Sequence, residues 1–417
     1  MMVIKQRTIV VALLVLLCLG SAASVSAQEG KPFITTWQGK KGVELKIPIV
    51  GHDYRLIVKD DKGQEVSKQE HLTIANVETA PSFTPTEDGL YTVEVGPEGV
   101  QYMQMMAANG AKGSAEALTS VKQFGDVKWT TTVRMFYNCK NMVFADDIDS
   151  PKLDWVENMS EMFYGCTTFN QPLAKWKVDN VTDMNSMFSG CHSFNQPFEQ
   201  WNTGKVTDMH EMFANCHVFN QPLNWDVSNV TNMAGMFYYC PDFDQPLGSW
   251  NVAKVTNMRT MFEGCRNFNQ SLENWKVDNV TSMVRMFDGC QRFNQPLKWN
   301  VGKVTEMGYM FCNCRAFNQP LEDWDVSQVT NMNNLFDGCL VFNQPLAKWK
   351  VGKVTSMQWM FNNCRAFNQS LEGWDVSQVT DMSYMFMSCH AFNQPLRKVG
   401  REQGDQHERD VCDLSCL

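Results

Sequence analysis

The chain has 417 residues, 15 Cys, 27 Met and a formal net charge of −9. Its length exceeds one compact core, so at least two units are expected. The acidic balance argues against nucleic acid and anionic lipid as partners, since both call for a basic surface.

Residues 1–27 read as a secretory signal. Lys5 and Arg7 give a positive start, Ile9 to Leu19 an apolar run, and Val25 and Ala27 the cleavage-site residues, with the cut expected after Ala27. That run is too short to stay as a membrane span, and no other segment is long and apolar enough to be one. Cys18 follows Leu16 and Leu17, where a lipobox needs a small residue, so lipidation is not expected. Losing Lys5 and Arg7 takes the charge from −9 to −11.

Residues 28–118 carry strand-like runs at Val43–Val50, Tyr54–Val58 and Leu90–Val95. Turn signals separate them, Asp60-Asp61-Lys62-Gly63 and Thr86-Glu87-Asp88-Gly89, and a small β-sandwich-like domain is predicted. The stretch from Leu118 to Met142, with Trp129, is expected to cap the N-terminal end of a repeat array.

From there the sequence repeats. M-F-x-x-C recurs with its Cys at 139, 166, 191, 216, 240, 265, 290, 314, 339, 364 and 389, with Leu335 once in place of Met. After a first gap of 27, the spacing is 25, or 24 at two places. Each Cys from 166 onward is followed by F-N-Q-P-L, a Trp and V-T-x-M, with few substitutions. A period of this size means stacked units that bury a shared core.

In Val181 to Cys191 the apolar positions are Val181, Met184, Met187, Phe188 and Cys191, which match one face of a short helix capped by Thr182. The residue before the Cys is usually Gly or Asn, as at Gly190, Asn215 and Gly264, and both tolerate the left-handed conformation that ends a helix. Trp176 and Val178 alternate like a short strand. The 24-residue coils have lost a residue between Leu and Trp, leaving only Asn224 or Lys298 there. A paired strand could not lose one residue without flipping its faces, so that link is a loop. The expected fold is an α/β solenoid of leucine-rich-repeat type, with one strand and one helix per coil over residues 119–396. Residues 397–417 are charged and unrepetitive, and are expected to be disordered.

The Cys column is read as buried apolar packing, because metal sites need tight local groups and each coil supplies one thiol. The Asn and Thr columns are read as bonding to the backbone of the next coil. Constant positions hold the stack together, so the variable ones face out. Tyr309, Trp359 and Tyr384 occupy equivalent variable places, and Arg266, Arg315 and Arg365 each follow a Cys. Exposed aromatics beside Arg are what binding hot spots favour, so these six form the candidate partner-binding stripe. No nucleophile–base pair, metal cluster or phosphate loop is visible, and His192, His217 and His390 do not converge with other groups. Neither catalysis, a cofactor nor a metal is expected.

The repeat F-N-Q-P-L-x-x-W-x-V-x-x-V-T-x-M-x-x-M-F-x-x-C resembles that of the BspA-like bacterial surface proteins, a repeat also known from mycoplasma surface lipoproteins. It runs from about Met135 to Leu396, and Phe33–Val50 and Val121–Cys139 look like the region preceding the repeats in those proteins. The resemblance implies a leucine-rich-repeat-like fold, export to the surface, and adhesion to host matrix proteins or other bacteria. It carries over no catalytic residues. A second reading is a passive component of a cell-surface layer, which predicts self-association without a ligand.

Overall fold

The computed structural model describes residues 30–105 and 114–395. The expected signal at 1–27 and tail at 397–417 lie outside the described residues.

Among the described residues, nine strands begin the fold: β1 Phe33–Gly39, β2 Leu45–Lys46, β3 Ile49–Lys59, β4 Glu65–Ile74, β5 Ser82–Phe83, β6 Gly89–Val95, β7 Val100–Met103, β8 Leu118–Gln123 and β9 Val143–Phe144. Seven of them make one sheet, in the order β4-β3-β6-β1-β8-β9, with β7 also on β3. The run Val43–Val50 is not one strand. Pro48 has no N–H to give a ladder, and the chain splits there into β2, paired with β5, and β3. β1 lies between β6 and β8, burying Phe33 and Trp37. β8 pairs parallel with β9, Ser120 opposite Val143, so the sheet continues past residue 118 into the first repeat. Phe124 meets Phe144 and Trp176 edge-on, both at 5.5 Å, and closes the apolar end of the first coils.

The repeats correct the expected α/β coil: within them the described residues form neither a helix nor a Trp-x-Val strand. Each coil is a chain of tight turns. Met187 N–H donates to Met184 C=O at 3.2 Å, Ser189 to Ser186 at 3.1 Å, and Cys191 to Phe188 at 2.9 Å. The alternate N–H groups leave the coil. Those of Met184, Ser186, Phe188 and Gly190 donate to Asp208, His210, Met212 and Ala214 of the next coil at 2.7–3.1 Å. An α-helix would keep every one of these donors for the carbonyl four residues back. Twice per coil the backbone also turns left-handed, at Ser186 (φ +52°) and Gly190 (φ +76°), which a right-handed helix cannot absorb. Regular β pairing shrinks to one parallel bridge per junction, from Asn158–Asp183 through to Ser356–Asp381.

The apolar positions all point inward and are almost fully buried. Phe163, Phe188 and Phe213 stack at 5.4 and 5.7 Å with nearly parallel rings. Four polar columns stitch the coils. The Oδ1 of Asn170 accepts the N–H of Asn195 and the Nε2 of Gln196, at 2.9 and 3.0 Å, and the pattern recurs to Asn393. Thr207 gives both its N–H and its Oγ1 to Thr182 C=O. Trp201 Nε1 donates to Leu173 C=O at 3.0 Å, and Cys191 Sγ to Phe163 C=O at 3.0 Å. The Leu-to-Trp link is a turn, closed by Trp176 N–H on Leu173 C=O at 3.0 Å. It is this turn that the two shorter coils have trimmed.

Candidate functional site

In each M-x-x-M-F-x-x-C-x-x segment the Met, Phe and Cys side chains enter the core, and the intervening residues make an outer face. Neighbouring coils align these residues in columns. One runs Thr260, Arg285, Tyr309, Asn334, Trp359, Tyr384, all left-handed, with φ between +54° and +62°. Another, after the Cys, runs Arg266, Gln291, Arg315, Leu340, Arg365, His390. Between them lies Glu263, Asp288, Cys312, Asp337, Asn362, Met387.

The six candidate residues share this face but not one cluster. Trp359 and Tyr384 stack with ring centres 4.6 Å apart, and Tyr384 is 48% exposed. Tyr309 stands two coils from Trp359, with Asn334 between, and the Arg285 guanidinium covers its ring at 4.1 Å. Arg266 and Arg315 join Arg285 around a depression of about 230 Å³ floored by Glu263 and Asp288. Arg365 is folded back, its Nε donating to Asn363 Oδ1 at 3.0 Å.

Sequence reasoning missed Arg285, Glu263 and Asp288. Arg285 Nη1 sits 2.9 Å from Asp288 and 3.6 Å from Glu263. Burial raises the Glu263 carboxyl above the ordinary range, and Asp288 raises it further. Burial also raises Asp288, with Arg285 pulling the other way. The available signal was composition: five of the twelve arginines lie between residues 259 and 315.

Among the described residues no group of three or more His, Cys, Asp or Glu could hold a metal ion. The column thiols are buried and their pKa values raised, which keeps them protonated and poor nucleophiles. His192 and His217 stack on each other with ring centres 4.5 Å apart, and burial, then His217, lowers the His192 pKa.

The profile of a family described as "Mycoplasma protein of unknown function, DUF285" matches residues 130–224, 223–319 and 295–399, together more than half of the chain. The chain belongs to the DUF285 family. Its matches begin beside Trp129 and overlap one another through the stack, so the DUF285 region coincides with the coils rather than with β1–β7. No curated protein and no solved structure matches the chain. Among the described residues no helix of this DUF285 chain is long and apolar enough to cross a membrane.

Proposed function

We propose that the chain is an exported, surface-displayed repeat protein that binds a protein partner through the outer face of its M-x-x-M-F-x-x-C segments, without catalysis. The observation that carries this reading is the stacked Trp359–Tyr384 pair, held out on a rigid coil where the equivalent residue of earlier coils is Ser186, Gly235 or Thr260. Large rings on a fixed backbone give contact area at little entropic cost, which is why they dominate interfaces. Membership of a mycoplasma repeat family and the likeness to BspA-like surface proteins support display at the cell surface, with adhesion to host matrix or to other bacteria as the role.

The test is adhesion of the full chain to immobilised matrix proteins and to bacterial cells, with Trp359→Ala/Tyr384→Ala compared with the parent. Loss of about thirtyfold in affinity is expected, the size of a hot-spot pair worth about 2 kcal/mol. Unchanged adhesion by a variant whose near-ultraviolet circular dichroism is native would sink the proposal. Self-association without any captured ligand would favour the passive surface-layer reading.

A further inference from the structure

Resting on that binding face, we propose the chemistry of its partner: an acidic polypeptide segment with an apolar end, laid along the stack axis. Its carboxylates meet Arg259, Arg266, Arg292 and Arg315, and its apolar end meets Trp359 and Tyr384.

Three observations carry this. First, charge is segregated. In a chain of net charge −9, three consecutive coils gather Arg266, Arg285 and Arg315 around one depression and carry the exposed Arg259 and Arg292 on the same M-x-x-M-F-x-x-C-x-x segments. Second, four of the five are uncommitted. Arg285 is held by Glu263 and Asp288, but Arg259, Arg266, Arg292 and Arg315 form no ion pair among the described residues, and all four are exposed. Of the coil lysines, Lys152, Lys298 and Lys348 are paired with carboxylates, while Lys205, Lys254, Lys303 and Lys353 give their Nζ to side-chain amides of the preceding coil. An exposed guanidinium presents a planar fork that matches a carboxylate with two parallel hydrogen bonds.

Third, the face changes character along the axis. After the coil of Asn334 and Asp337, whose carboxylate is held by the Asn334 and Asn362 amides, it carries an apolar patch, the Trp359–Tyr384 pair with the adjoining Met387, 42% exposed. Arg266 and Arg315 are two coils apart, about 10 Å at a β spacing, which is the span of about three residues of extended chain. A peptide can therefore place an acidic side chain on each arginine and still reach the rings. A densely sulfated polysaccharide fits less well. It has no apolar end to lay on the Trp359 and Tyr384 rings.

The experiment measures fluorescence polarisation of three labelled probes on the full chain: a glutamate run ending in Phe-Leu-Phe, the same peptide with lysines, and a heparin oligosaccharide. The glutamate peptide is expected to bind and the lysine peptide not to. Arg266→Glu/Arg315→Glu should weaken the glutamate peptide at least about tenfold, the loss typical of removing paired charges at an interface. The reversal Lys276→Glu, outside the face, should leave it unchanged. Arg266→Gln/Arg315→Gln repeats the test without new negative charge, should the reversed pair fail to fold. Equal binding by the arginine variants, no binding of the glutamate peptide to the parent, or tighter binding of the heparin oligosaccharide each overturns the proposal. If Trp359→Ala/Tyr384→Ala abolishes adhesion while the arginine variants bind every probe like the parent, the acidic partner is wrong and the binding face stands. If the aromatic variant adheres normally, the face itself is wrong.

Discussion

Each column Cys pairs with the backbone rather than with another thiol: Cys265 Sγ donates to Phe237 C=O at 3.0 Å and Cys364 to Phe336 at 2.8 Å. Burial drives these thiols well above their ordinary value near 9. That direction fixes the sign of the stability effect. The native state keeps the proton that the unfolded chain releases, so the contribution is complete below the unfolded pKa and is lost as pH rises above it. Each such thiol adds a slope of about 1.4 kcal/mol per pH unit, and a column of them acts together. The urea midpoint should therefore hold steady from about pH 7 to 8 and fall steeply above about pH 9. A midpoint that stays flat to about pH 10 would refute protonated, buried thiols. Residue-level strain has the opposite distribution. Tyr309, Trp359 and Tyr384 accept left-handed backbone at φ +58° to +62°, a cost of about 1 kcal/mol each that Gly235 avoids in the same column. The same left-handed turn recurs at Ser186, Glu211 and Thr260, so it belongs to the coil and the rings share it with their neighbours.

One coil is held to the next by side chains that stand in for a β ladder, and the sequence contains its own substitution test. Asp244 replaces Asn in the column, and its Oδ1 still accepts from Asn269 N–H at 2.9 Å and Gln270 Nε2 at 3.0 Å. Asn269→Asp should thus cost under about 1 kcal/mol. Asn269→Ala removes the acceptor for Asn294 N–H and Gln295 Nε2 and should cost about 2 kcal/mol. Equal thermal shifts for the two variants would contradict the ladder. Much of the coil was legible in this way: its length, the left-handed Gly or Asn before Cys, the trimmed Leu-to-Trp turn and the bonding role of Asn and Thr. The helix was not, and the reason is geometric. Inward residues at Val181, Met184, Met187 and Cys191 step by three or four, as on a helix, but here three-residue turns set the stride. The donors that decide between them bond to residues about 25 positions away, and no local period records that. The site failed the same way. The outward columns could be read coil by coil, whereas the grip of Arg285 on Glu263 joins neighbouring coils.

At the scale of the molecule, a sheet closes one end of a stack whose coils touch only their immediate neighbours. Such a stack gains stability by adding interfaces, not by enlarging a core. The inter-coil hydrogen bonds run nearly along the stack axis, from Phe188 to Met212 and from Phe213 to Met236. Their alignment has a mechanical consequence. Tension applied between the chain ends meets these bonds end-on, one coil at a time, rather than shearing a whole sheet at once. Pulled from its C-terminal side, the molecule should yield in small, even steps, each freeing about 25 residues, or about 80 Å of extended chain. Single-molecule force spectroscopy would resolve them, and one large rupture in place of a regular staircase would exclude it. A protein built this way lengthens under load while its remaining coils keep their shape and their outer face.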